Sequence, residues 1–261
     1  MKSIPLRVGL FLLGYLLLLL LASVPKGMAP PRFADITWGV SASLGILLMS
    51  RVFLKREHRE ARDVGLSPDA GSAVRLLAGV AMGCGVYACT LLMISWLVGP
   101  LHFTTVARPS AATVSRLTIG YLALSCMEEL GFRGYALRTL IPAIGHWQAQ
   151  LAIAVAFGLS HAAFGWPWQA IVLGVIPSAL VFGAAATLSG GLAMPIGVHA
   201  AVNLAQWAVG EKDTPGFGTL TVDPSNVATA TVFSPFIGAA VPLTAAALMF
   251  WWQRRRTRST L

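Results

Sequence analysis

The chain has 261 residues; 56% are Ala, Val, Ile, Leu, Met, Phe, Trp, Tyr or Cys and only 11% are charged. Its mean hydropathy is +0.72. Soluble domains carry about 25% charged residues and disordered chains are poor in apolar ones, so both classes are excluded. The 19 Lys and Arg against 10 Asp and Glu give +9. In so apolar a chain this excess reads as basic loops on a membrane surface and not as a nucleic-acid interface.

A helix crosses a bilayer core in about 20 apolar residues. Eight runs qualify, at approximately 6–24, 34–54, 72–98, 113–140, 149–164, 169–188, 190–209 and 230–252. The predicted fold is therefore all-α: a polytopic membrane protein of about eight transmembrane helices, with its functional side chains in the bundle interior. Lys2 and Arg7 before a Leu-rich stretch resemble a signal peptide. The stretch is long for one, and Ser23-Val24-Pro25 is a poor cleavage site, so an uncleaved first span is expected.

Loop charge sets the orientation. Arg51, Lys55, Arg56, Arg59 and Arg62 follow the second run, and Arg254, Arg255, Arg256 and Arg258 follow the last. The loop after the seventh run holds Glu211, Lys212, Asp213 and Asp223. The positive-inside rule puts both basic regions in the cytoplasm and the acidic loop outside. Eight spans with both termini cytoplasmic satisfy all three. Cys84, Cys89 and Cys126 form no CxxC pair, which predicts neither a disulfide framework nor a thiolate metal site.

A charge at the bilayer centre costs about 2.5–3.5 kcal/mol on insertion scales, so buried ionisable groups mark function. Of the ten acids, eight fall in loops, Glu57 and Glu211 among them. Glu128 and Glu129 remain, inside the fourth run. That run crosses from outside to inside and holds both in its second half, which predicts a site toward the cytoplasmic side. His161 and His199 lie in the fifth and seventh runs, Asn203 is the amide well inside an apolar run, and Arg133 completes the set. Glu129 and Arg133 are spaced i,i+4, as are Phe157 and His161, and His199 and Asn203; each pair shares a helix face. Arg138, one turn further on, is expected to snorkel to the cytoplasmic headgroups.

A carboxylate beside a histidine can activate water, and histidine and asparagine can stabilise an oxyanion. Two histidines and a glutamate also match a catalytic zinc sphere with an open position. No HExxH is present, and neither Ser125 nor Ser160 has a Gly-x-Ser-x-Gly context. Hydrolysis by activated water suits the set best.

At these residues the chain resembles the CPBP family of intramembrane proteases, which includes the type II CAAX prenyl endopeptidases and bacteriocin-processing and self-immunity proteins. Its EExxxR motif stands as Glu128-Glu129-Leu130-Gly131-Phe132-Arg133, its FxxxH as Phe157 to His161, and its HxxxN as His199 to Asn203. The resemblance covers about 117–207. It implies that Glu128 and His161 activate water and that His199 and Asn203 hold the oxyanion, with Glu129, Arg133 and Phe157 in support. It also leaves two branches: a metal-free site, or a divalent metal such as zinc on Glu128, His161 and His199.

The resemblance divides the chain into N-terminal helices with a basic loop (1–112), a catalytic core (113–209), and an external loop with the last helix and basic tail (210–261). The expected partners are the lipid bilayer and a peptide or membrane-protein substrate of CAAX, bacteriocin or other type, with no nucleic acid. Small size and an Ala/Gly/Leu-rich, Lys-poor composition suggest a bacterial inner membrane. Two rival readings are a transporter with an acidic relay and a non-catalytic immunity or assembly factor.

Overall fold

The computed structural model describes residues 3–258; Lys2 lies outside them. The helices are α1 (Ile4–Met28), α2 (Ala34–Arg56), α3 (Ser72–Leu97), α4 (Ala111–Glu129), α5 (Leu137–Ile144), α6 (His146–Ala163), the short α7 (Trp168–Ala170), α8 (Ile176–Ser189), α9 (Ala193–Ala208) and α10 (Val227–Arg258). α4 runs into α5, and α7 into α8, through π-helical turns at Leu130–Ala136 and Ile171–Val175.

The chain is an α-helical membrane protein, but the count of eight spans is not confirmed. Five segments are long and apolar enough to cross a bilayer: Ile4–Met28, Pro31–Arg56, Ser72–Leu97, Trp168–Ser189 and Pro224–Arg255. α4, α6 and α9 do not qualify. α6 has 18 residues and α9 has 16, about 27 and 24 Å against a core of about 30 Å. These three carry the motif residues. The same polar groups that make them interesting lower their hydropathy, and the other helices pack beside them, although Ile119 on α4 and Leu151, Val155 and Leu159 on α6 also reach the surface. Leu13, Leu17, Leu20, Leu77, Leu92 and Leu248 on those outer helices are exposed, as lipid-facing side chains are.

One departure from all-α is a two-stranded antiparallel sheet. β1 (Leu101–Thr105) pairs with β2 (Gly218–Val222), with Phe103 opposite Leu220. It joins the loop after α3 to the loop after α9, so those two ends share one face of the bundle. The opposite face gathers the basic ends. Arg7 pairs with Glu57 at 2.7 Å, Tyr135 donates to Glu57, and Arg59 donates to Thr139. At the same end, Trp147 on α6 packs against Phe250 and lies under Arg254 of α10. The two basic regions therefore do share a face.

Two side chains depart from their sequence reading. Glu57, read as a solvated loop acid, is nearly buried and ties α1, the loop after α2 and the π turn together. Arg138 does not snorkel: its guanidinium caps the Ala186 carbonyl at 2.6 Å near the end of α8. α8 leaves its last carbonyls without helical partners, and an inward-turned arginine satisfies one of them.

α9 is held against α3 by glycines. A Cβ on Gly79 would overlap the Met194 carbonyl, one on Gly83 would lie 2.5 Å from the Val198 carbonyl, and one on Gly197 would overlap the Leu76 carbonyl. Gly79 and Gly83 are i,i+4 on one face, the small-xxx-small device that lets helix backbones touch. Gly83→Val is expected to force α3 and α9 apart and to lower stability by about 1–3 kcal/mol, the usual cost of overpacking. Gly85→Val, with open space at its Cβ, is the control and should leave the unfolding midpoint in detergent unchanged.

Candidate active site

The motif helices meet at one carboxylate oxygen. Glu129 Oε1 accepts from Arg133 Nη1 at 3.2 Å and from His199 Nδ1 at 3.0 Å. Glu129 and Arg133 are both 0% exposed. The Arg133 guanidinium also donates to the Ala179 carbonyl of α8 at 3.1 Å. It lies near three aromatic rings: Phe157 at 4.5 Å, Phe182 at 5.4 Å and Phe132 at 5.8 Å. A buried arginine needs both a counter-charge and hydrogen bonds, and ring faces add further attraction. The Phe157 of the second motif is thus a packing partner of the arginine in the first.

The π turn begins directly after Glu129, and Gly134 within it leaves helical geometry at ψ −112°. Every residue from Leu130 to Ala136 is buried. An extra residue in a helical turn rotates the next stretch of helix, which is why such turns recur at functional positions. On the α1 side, a Cβ on Gly131 would sit 2.5 Å from the Tyr15 ring. The aromatic packing of Phe11 and Tyr15 against Tyr135 and Phe132 seats α1 on this turn.

The hydrogen bonds fix protonation patterns. His199 gives its Nδ1 proton to Glu129, so its Nε2 donates only when the ring is charged. That Nε2 lies 3.7 Å from Glu128 Oε2, beyond hydrogen-bond length but within ion-pair range. Phe182 stacks on the His199 ring, 4.4 Å between centroids and 14° between planes. His161 contacts the Phe157 carbonyl through Nδ1 at 2.9 Å. Nδ1 is then the protonated nitrogen, and in the neutral ring Nε2 keeps its lone pair. Glu128 Oε2 is buried and accepts no hydrogen bond.

A cavity of about 640 Å³ is lined by His161, His199 and Asn203, with Phe157 and Phe182 beside them. α3, α8 with the π turn before it, and α10 supply mainly apolar walls, among them Leu91, Ile94, Leu173 and Pro235. Glu128 is not in the lining; it stands next to His199. His161, His199, Asn203, Glu129, Arg133 and Phe157 are thus gathered in one place, with Glu128 joined to them through His199. Among the described residues, no three His, Cys, Asp or Glu side chains come together to hold a metal ion. The set Glu128, His161 and His199 does not form a ligand group in this arrangement.

Lys212 is the residue that motif reading does not find. Its Nζ donates to Asn203 Oδ1 at 2.9 Å. Lysine has only donors, so Oδ1 must face it, and the Asn203 amide N–H groups point elsewhere. Burial holds the Lys212 ammonium below its ordinary pKa, while Glu211, Glu128 and Asp213 pull it back up. The loop returns over the site through Gly210, at φ +84°. Nothing in a nine-residue separation across an irregular turn announces this contact. Phe182 is equally hidden, as one aromatic in an apolar run.

Residues 109–205 match the family model described as type II CAAX prenyl endopeptidase Rce1-like. The match bears out the resemblance drawn from the three motifs and spans all of them. It supports a membrane endopeptidase of the CAAX type in general. No curated protein matches the chain.

Removing the arginine tests the buried pair. Arg133→Met is expected to lower unfolding stability by about 3–5 kcal/mol, because Glu129 is left as an uncompensated buried charge. Adding Glu129→Gln should recover part of that loss. Both are read by unfolding of the purified protein in detergent.

Proposed function

We propose that the chain is an intramembrane endopeptidase that hydrolyses a peptide bond with an activated water, using residues 113–209 as its core and Lys212 from outside it. The observation that carries this reading is the His199 ring, bound to Glu129 on one nitrogen and facing Glu128 with the other, at the wall of a cavity that also holds His161 and Asn203.

The roles follow from the atoms. Glu128 has an oxygen with free lone pairs, as a base must. His161 holds its Nε2 lone pair available by giving Nδ1–H to Phe157, and assists. Attack on the peptide carbonyl turns its oxygen into an oxyanion. His199 gives its Nδ1 proton to Glu129, so it donates through Nε2 in the ring form that carries both protons. Asn203, with Oδ1 held by Lys212, donates through its amide. The proton taken by the base passes to the leaving amine. Glu129 and Arg133 keep His199 in place and do not touch substrate; Phe157 packs on Arg133 and lines the cavity. No step is drawn through a metal. The peptide lies in the cavity beside an apolar wall. Both termini are placed on the cytoplasmic side of the membrane by loop charge, and composition favours a bacterial inner membrane.

Expression of wild type and Glu128→Gln at matched levels, with mass spectrometry of new peptide termini, tests the reading. Termini present only with the wild type are expected. The same termini with a folded Glu128→Gln variant would contradict it. Asn203→Ala should lower turnover by about a hundredfold, the scale of a lost oxyanion donor. Lys212→Met should lower it less, by about tenfold, since the amide keeps its donors but loses its orientation. Chelation by EDTA is expected to leave turnover unchanged; loss of activity restored by zinc would show that a metal takes part.

A further inference from the structure

The walls of the cavity do not belong to the face that carries the basic clusters. α10 runs from the cavity, at Thr231, Ser234 and Pro235, to its basic C-terminal end. α6 likewise starts beside Phe250 and Arg254 and reaches the cavity only in its last turns, at Phe157 and His161. Trp166 and Pro167 in the loop after α6, and Glu211 and Lys212 in the loop after α9, complete the rim. All of these lie toward helix ends opposite the Arg51–Arg62 loop. Trp166, Gln169, Glu211 and Thr231 are exposed, so the rim meets solvent or headgroups there.

The other end is closed. Below the Glu129–Arg133 pair, Tyr135, Ala136, Leu137 and Thr139 are buried, as are Ala184, Ala185 and Ala186 on α8. Glu57 and Arg59 bond to Tyr135 and Thr139 across this floor. A Cβ on Gly65 would lie 3.0 Å from the Gly190 carbonyl, so the basic loop sits directly on the turn between α8 and α9. A substrate has no route through this packing. The fourth run, taken alone, predicts a site toward the cytoplasmic side. The structure reverses that, because Glu128 falls midway along the combined α4–α5 rod and the cavity lies on its far side.

We infer that the site is loaded from the extracytoplasmic face, and that its substrates are extracytoplasmic peptide segments with an apolar stretch, carried by exported or membrane-anchored proteins. The inference rests on the endopeptidase reading for what happens to the segment, and on packing and loop charge for the side from which it arrives. The apolar walls on α3, α8 and α10 would take the side chains of such a stretch, leaving its backbone beside His199 and Asn203.

Sidedness can be read without activity. In a background with Cys84, Cys89 and Cys126 replaced by alanine, Thr231→Cys and Gln169→Cys mark the rim, and Ser67→Cys marks the basic loop. A membrane-impermeant maleimide applied to intact cells is expected to label Thr231→Cys and Gln169→Cys, and to label Ser67→Cys only after permeabilisation. Labelling of Ser67→Cys but not of the rim positions in intact cells would overturn the inference. In the comparison of wild type with Glu128→Gln, cut sites should map to extracytoplasmic segments; cut sites in cytoplasmic segments would also overturn it. If no termini depend on Glu128 while the rim labels from outside, the endopeptidase reading fails and the sidedness stands.

Discussion

One carboxylate oxygen, Glu129 Oε1, organises the polar interior of this protein. It receives a hydrogen bond from its own helix, through Arg133, and another from α9, through His199. Inside an apolar bundle neither charge could remain unpaired, since an isolated buried ion costs several kcal/mol. The arginine extends the constraint to α8 through Ala179 and to α6 through the Phe157 ring. Four helices are thereby registered on one ion pair. The position of His199 relative to Glu128 is a consequence of that register.

The rest of the fold serves this register at lower energy. Gly79, Gly83 and Gly197 allow α3 and α9 to meet backbone to backbone, which seats the helix carrying His199 and Asn203. The π turn after Glu129 hands its aromatic side chains to α1. The β1–β2 pair ties the loop after α9 to the loop after α3, and it sits close to the turn that brings Lys212 over Asn203. The long outer helices face lipid and carry little polarity. The shorter ones carry the motif residues.

Much of this is legible in the sequence. Glu128, Glu129, His161, His199 and Asn203 stand out because apolar runs make polar residues conspicuous, and the i,i+4 spacings give their faces. Charge in the loops identifies which ends lie together. What cannot be read there is what depends on the third dimension. The count of eight spans is not confirmed at α4, α6 and α9, which are short or interrupted by the polar groups they carry. Glu57 and Arg138 are charged residues near loops, and only the packing shows that they turn inward. The contact between Lys212 and Asn203 depends on one glycine turn. The direction in which the cavity opens depends on how far each helix extends past the site, which runs of apolar letters do not record.

The proposed mechanism gives the chemistry to Glu128 and leaves its neighbour Glu129 to hold structure. The most direct test of that division is a side-by-side measurement of peptide turnover and unfolding for purified Glu128→Gln and Glu129→Gln in the same detergent. Glu128→Gln is expected to unfold like the wild type and to have no turnover, and Glu129→Gln to lose stability and activity together. Turnover retained by Glu128→Gln would contradict the division.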